Sequence, residues 1–548
     1  MEQGLEMMKR GKLEEVDEEK WVYDSSVDHK GRIPLRASTG VWKGSLFIIA
    51  IEFSERLSYF GIATNLIIYL TKVIHQDLKI AAKNVNYWSG VTTMMPLIGG
   101  FLADSYFGRF RAVLISSFIY LVGLSLLTMS ELIPSLKPCN MDNCKNSTKN
   151  HKIVFFLAIG LVVGVTVIVY VQDNVSWGLA DIILTAVMSI TIIIFYTGRP
   201  FYRFRKPKGS PLTPMLQVLV AAVTKRNLPY PSDPAQLHED TKTPKIQGRL
   251  LCHTPKLKFL DKAAIIEDNE EGSIEKHRSP WRLSTVTKVE EMKLVLNVVP
   301  IWLTSLTFGL CVAQTSTFFI KQASAMNRHI SHHSFEIPPA TIYALAAIGM
   351  IISVVIYDRI LEPLLQKVRN KERGIEILQR IGIGMLFTSV SMVTAALIES
   401  RRLKEVEEKM GPLSVFWLTP QFMIMGFGDG FALVGLQEYF YEQVPDTMRS
   451  LGIAFYLSVI GLGNFISSLL ITVVDHVTEN RGRSWFGKDL NSSRLDYFYW
   501  LLAAINGVNL CIYVFVARRA AYKSVQRGVA VVDYSGGREI SGGGELMA

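Results

Sequence analysis

Charge is scarce in this 548-residue chain: Asp, Glu, Lys and Arg together make up 19% of it, against 49% hydrophobic residues. Three or four soluble domains, which the length alone would allow, need a more ionisable surface than that. Cysteine is scarcer still. The five thiols (Cys139, Cys144, Cys252, Cys311 and Cys511) are too scattered for a disulfide framework, and only Cys139 and Cys144 are spaced for a local bridge. A nucleophile elbow, a HExxH helix and a Walker loop are all missing, so the chain is not expected to be an enzyme. Residues 1–44 are polar and of mixed charge, which excludes a cleavable signal peptide there.

What is present instead is a series of long apolar runs. Residues 94–103, 153–171, 344–356 and 451–474 hold almost no charge, and several runs reach the roughly 20 residues that cross a bilayer core. The chain reads as an all-α, multi-pass membrane protein with about 11 spans, the first over residues 46–70 and the last over 498–516. The formal net charge of +10 is spread between spans rather than gathered into a footprint, which excludes nucleic acid as a partner and suits cytoplasmic loops.

The runs form two groups. Residues 45–198 would be a first helix bundle and residues 294–518 a second, with a hydrophilic connector over 199–293 between them. A cytoplasmic segment, residues 1–44, would precede them and a cytoplasmic tail, residues 519–548, would follow. Within the connector, residues 256–265 have the pattern of a short amphipathic helix. Two bundles joined by a basic connector is the outline of a major-facilitator carrier. Lys30, Arg32, Arg36 and Lys43 place the amino terminus in the cytoplasm, and Arg518, Arg519 and Lys523 place the tail there too. Six crossings in the second group then put the connector inside. Five in the first group would put it outside. The suspect is residues 153–171, which contain Gly160 and Gly164: either one ordinary span or a re-entrant dip shielded by protein.

Glu52-Phe53-Ser54-Glu55-Arg56 lies about two turns inside the first run. Glu52, Glu55 and Arg56 fall at i, i+3 and i+4 and share one helical face. A charge there costs several kcal/mol, roughly 2.5–3.5 on insertion scales, so three together imply pairing beside a wet cavity. Glu438 ends another apolar run that includes Asp429, and the glycines of that run read as close-packing positions rather than a nucleotide loop. The loop of residues 100–111 can pair Asp104 with Arg109 or Arg111 and so steady one conformation. Asp358 and Arg359 follow a span of the second group in a comparable place, a faint internal repeat. His329, His332 and His333 lack Cys or Asp at ligand spacing and read as surface, so no metal is expected. Asn146 and Asn491 begin glycosylation sequons.

Glu52–Arg56, continuing Leu57-Ser58-Tyr59-Phe60-Gly61, resembles the ExxER signature of proton-coupled oligopeptide transporters. Residues 428–452, with Gln437-Glu438-Tyr439-Phe440-Tyr441 and Val444-Pro445-Asp446, resemble the plant nitrate/peptide branch, as do Gln172-Asp173-Asn174, residues 206–211 and Pro280-Trp281-Arg282. The resemblance runs from residue 31 to residue 519. It implies a twelve-span, proton-driven carrier of nitrate, peptides or other small organic anions in the plasma or vacuolar membrane, with no cofactor beyond the proton gradient. Glu52, Glu55 and Arg56 would couple protons, while Glu438, with Tyr59 and Gln314, would line the substrate cavity. Between residues 155–158 and 168–174 the family's material from the fourth and fifth spans, including a cavity lysine, is missing. Arg56 is the substitute partner this suggests for Glu438. Leu310-Cys311-Val312-Ala313-Gln314 also lacks the histidine of some nitrate carriers. The competing expectation is a non-transporting, truncated isoform.

Overall fold

A computed structural model describes residues 21–22, 26–132, 168–205, 212–230, 237–238, 253–266, 279–329, 336–369, 374–444, 449–480, 484–487 and 489–519. The first group contains α1 (Val41–Ala63), α2 (Leu78–Leu102), α3 (Arg109–Leu132), the short α4 (Val169–Asn174) and α5 (Trp177–Thr197). The connector contributes α6 (Leu212–Thr224) and a short turn of helix, Lys258–Asp261, where an amphipathic helix is expected. The second group holds α7 (Val286–Val312), α8 (Phe318–Ser324), α9 (Ala344–Ile356), α10 (Glu362–Arg369), α11 (Ile377–Glu407), α12 (Thr419–Gln443), α13 (Arg449–Glu479) and α14 (Leu495–Arg519).

Seven helical segments among the described residues are long and apolar enough to cross a bilayer. The long helices α1, α2 and α12 carry more ionisable, polar or glycine residues and are not among these seven. In lipid, apolar surface gives helices no reason to associate, so the groups cohere by close backbone approach and polar contacts. A Cβ on Gly426 would collide with the carbonyl oxygen of Ala346 on α9, and one on Gly428 would come within 2.9 Å of Thr388 Oγ1 on α11. Gly309 of α7 and Gly463 of α13 meet in the same way. The spaced glycines of α12 are thus the surface on which α9 and α11 lie. Hydroxyls inside spans fold back onto their own helix, as when Thr64 donates to the Phe60 carbonyl at 2.7 Å and Thr128 to Leu124 at 2.8 Å, which spares them an unpaired contact with lipid.

Contacts among the described residues fix the relative directions of the helices in the first group. Ser26–Val27 pairs antiparallel with Phe204–Arg205, and the Gly40 N–H donates to the Phe201 carbonyl at 2.8 Å, so α1 begins where α5 ends. We call this side the connector face. Phe110 stacks on Phe195 at 5.3 Å, and Thr128 meets Thr185 at 3.0 Å, so α3 and α5 are antiparallel. The chain therefore leaves α3 and enters α5 at the far face. Asn65, just past the far end of α1, donates to Gln172 and Asp173 beside it. The described ends on either side of residues 133–167 therefore both lie at the far face. Residues 153–167, the greater part of that suspect run, lie outside the described residues, as do Asn146, His332, His333, Cys139, Cys144 and Cys252.

The two groups meet along α2 and α13. Lys79 pairs with Asp475 at 2.9 Å, Ser468 donates to the Lys83 carbonyl at 3.2 Å, and Asn86 donates to Ser467 at 2.9 Å. Deeper in, a Cβ on Gly90 would come within 3.1 Å of the Gly461 carbonyl. All of these lie in the far-face half.

Replacing Gly426 with Leu should cost about 1–3 kcal/mol or more of stability by overpacking, read as a lower thermal midpoint of the purified protein. Gly507→Ala, with no atom within 4 Å of the new methyl, should leave it unchanged. An amino-terminal tag and a protease site within residues 242–262 should both be reached from the same side of the membrane; access from opposite sides would refute the helix directions given above.

Candidate functional site

On α1, Arg56 Nε lies 3.0 Å from Glu52 Oε1 and 3.3 Å from Glu55 Oε2, the one-face ladder that the i, i+3, i+4 spacing dictates. The side chains of Glu52 and Arg56 are about half exposed, at 53% and 50%. They lie toward the connector face of the junction between groups, below the closed seam. One turn farther, Tyr59 stacks on Trp88 of α2 with ring centroids 5.5 Å apart.

Tyr59 also opens onto a cavity of about 90 Å³ between the two groups. Thr64 and Thr93 line it from the first group, and Thr315, Tyr343 and Asn464 from the second. Among the described residues the walls are hydroxyls, an amide, aromatic rings and aliphatic groups, with the Glu52–Arg56 ladder one turn away. Gln314 is buried just behind Thr315. Its amide donates to the Leu310 carbonyl at 2.9 Å and to Ser467 Oγ at 3.1 Å, so it belongs to the seam and not to the cavity wall.

Glu438 is placed differently from the position the resemblance implies. It sits at the connector-face end of α12, 3.7 Å from Arg380 of α11. Arg380 is itself buried and stacked over the Tyr357 ring at 3.9 Å. The partner of Glu438 is therefore Arg380 and not Arg56, and Glu438 does not line the 90 Å³ cavity.

The carboxylate that turns toward the junction from α12 is Asp429. Gly426 and Gly430 face α9, and Gly428 and Ala432 face α11. Residue 429 projects between those two contacts, away from lipid and into the group. Its Oδ1 is closed off from solvent without a hydrogen-bond partner. The phenols of Tyr343 and Tyr456 lie within its electrostatic reach, and Tyr456 is also within reach of Arg56. Ionisable groups of the two bundles thus approach each other through a shell of tyrosines around the cavity.

The loop expected to pair Asp104 with Arg109 or Arg111 forms the first of these pairs. Asp104 accepts from Arg109 Nε at 3.1 Å across a turn that needs the positive φ of Gly108, +77°. Arg111 is exposed. Asp358 and Arg359 are exposed as well and have no ion pair among the described residues. Each loop begins with one wide, π-type turn, Ala103–Phe107 in the first group and Tyr357–Leu361 in the second, so the internal repeat extends to the backbone. Asn491 lies at the far face, its Oδ1 accepting from Arg402 at 2.6 Å.

His253, Asp261 and Glu290 converge closely enough to suggest a cation site. The ammonium of Lys293 already fills it, 2.7 Å from Asp261 and 2.8 Å from Glu290. Arg380 and Lys293 both escaped the sequence reading because each stands at a span boundary, where a basic residue looks like a flank. Asp429 was visible as a charge in an apolar run.

Residues 154–488 match the sequence profile described as the POT family. Protein NRT1/ PTR FAMILY 5.6 of Arabidopsis thaliana is 56% identical, with 93% of this chain and 96% of that protein covered. Protein NRT1/ PTR FAMILY 5.7 of the same plant is 54% identical, with 94% of each covered. The first alignment runs over 557 positions, more than the whole of this chain, so that relative carries material absent here. Among solved structures, the POT family transporter PepTSo superposes with a TM-score of 0.63 at 17% identity, over 88% of this chain and 99% of its own. A POT family transporter in complex with 5-aminolevulinic acid gives 0.56 at 11% identity, over 88% and 98%. These two show the major-facilitator fold of two helix groups. By its profile and its relatives, this chain belongs to the POT family of multi-pass membrane transporters, alongside the plant NRT1/PTR proteins.

Proposed function

We propose that the chain is a proton-coupled secondary transporter of a small solute, working by alternating access between its two helix groups. The observation that carries this reading is the Glu52–Glu55–Arg56 ladder, half open on the connector side and one turn below a cavity sealed from the far face. Lys30, Arg32 and Lys43 before α1, and Arg226 and Lys258 in the connector, support a cytoplasmic connector face. The described arrangement is then open inward.

The chemistry follows from charge balance. With both carboxylates ionised, Arg56 is held between two anions on its own helix. A proton on Glu55 removes one of them, and Arg56 can turn toward Tyr456 and the second group. Because protonation changes which groups attract each other, it shifts the balance between inward- and outward-open states, and a proton gradient can thereby drive solute uphill. Asp429, lacking a partner for Oδ1, is the matching carboxylate of the second group, behind Tyr343 and Tyr456. No cofactor enters this scheme. The solute is a small organic molecule or anion; nitrate, a dipeptide and 5-aminolevulinic acid, the compound bound in a similar POT structure, are the first probes.

Uptake of at least one of these into cells expressing the chain should rise in acidic medium. Glu55→Gln should remove the acid stimulation, a loss of roughly tenfold or more, the scale of about 1.4 kcal/mol. Uptake indifferent to both changes would defeat the proposal. Asp429→Asn should lower uptake with surface expression unchanged.

A second reading, a shortened relative that does not transport, is favoured by the material present in the Arabidopsis protein and absent here. Reconstitution of the purified chain alone decides between them: gradient-driven uptake rejects the second reading, and none of the three probes entering sealed vesicles supports it.

A further inference from the structure

The connector does not hang free of the spans. Lys293, on the second turn of α7, is 1% exposed and bonds Asp261 at 2.7 Å, Glu290 at 2.8 Å and the Thr254 carbonyl at 2.8 Å. Thr254 in turn donates its hydroxyl to Glu290 at 2.7 Å. Breaking such a buried cluster would strand a charge, so residues 253–266 are fixed to α7. They hold α6 with them. Met215, Val218, Ala221 and Ala222 are buried against Val289, Met292 and Val295 of α7 and against Leu260, Ala263 and Ala264.

The opposite side of α6 carries a second apolar stripe. Leu216, Val220 and Val223, at i, i+4 and i+7, are 53%, 44% and 63% exposed. Phe259 and Ile266, in the segment that packs against α6, are exposed too. Val295 lies where the apolar run of α7 begins, immediately after Lys293, so α6 stands at the level where that span enters the bilayer. Over the described residues of 212–266, the exposed charges are basic, Arg226, Lys256 and Lys258 among them, while the single acid, Asp261, is buried under Lys293.

We propose that α6 and the turn at residues 256–262 form a rigid shelf that lies in the headgroup layer of the cytoplasmic leaflet and binds anionic phospholipid. Leu216, Val220 and Val223 would enter the acyl boundary, and Arg226, Lys256 and Lys258 would meet the headgroup phosphates and carboxylates. An apolar stripe with a basic rim is the pattern that binds anionic membrane surfaces. The shelf is pinned to α7, so lipid charge acts directly on the cytoplasmic end of a span that lines the junction between the groups.

The test uses the full chain in vesicles of phosphatidylcholine, with and without phosphatidylserine, carrying a nitroxide at Val220→Cys. The spectrum of the equally treated parent, which has its own exposed Cys511, is subtracted. Oxygen should relax the Val220 label severalfold more than an aqueous nickel chelate does, and the difference should grow with phosphatidylserine. Replacing Arg226, Lys256 and Lys258 together with Glu should remove that growth. A label at Ala221→Cys should stay immobile throughout and confirm that α6 is still docked. A Val220 label relaxed mainly by the nickel chelate in both vesicles, as for a face reserved for a soluble protein, would overturn the proposal. So would a depth indifferent to phosphatidylserine. Neither result depends on transport, so failure here leaves the proton-coupling proposal standing.

Discussion

A bilayer core has no water to offer a charge, so an ionisable side chain inside a span must find a partner or sit where water reaches it. This constraint organises the chain from end to end. At the far face, Lys79 and Asp475 meet across the two groups, and Glu399 and Arg402 are paired in full burial. At the connector face, Arg380 serves Glu438 and Lys293 serves two acids. What remains between these layers is the Glu52–Arg56 ladder and Asp429, on either side of a tyrosine-walled cavity.

Much of this was legible from the sequence, for a definable reason. The triad in α1 announces itself because charge is so rare in apolar runs, and helical spacing alone puts Glu52, Glu55 and Arg56 on one face. The glycines of α12 were readable as packing positions because no strand or lysine accompanied them. Pairing between distant helices was not readable. Arg380 and Glu438 are separated by most of two spans and a loop, and nothing in either local pattern says that they meet. The far-face seam was hidden likewise: Asn86, Gln314 and Ser467 are ordinary polar residues until three helices bring them together.

The structure also separates two kinds of burial that composition blurs. Gly426, Gly428, Gly309 and Gly463 gain contact by having no side chain, so helices come close enough for dispersion to act. Asn506 gains it by hydrogen bonding, donating to the Met385 carbonyl at 3.1 Å and to Ser389 Oγ at 2.9 Å while accepting from Thr307. Both devices are dense in the second group. The junction between the groups uses both as well: Gly90 and Gly461 approach closely, and Asn86 donates to Ser467.

Ser467 gives that junction a particular character. Its single oxygen receives one amide from α2, through Asn86, and another from the segment after α7, through Gln314. Separation of α2 from α13 does not loosen these grips by degrees. It strands Asn86 in the same movement that leaves Ser467 with one donor in place of two, an abrupt rise in unsatisfied polarity that only entering water can relieve. One hydroxyl thus ties α2 of the first group to both α13 and the segment after α7 of the second.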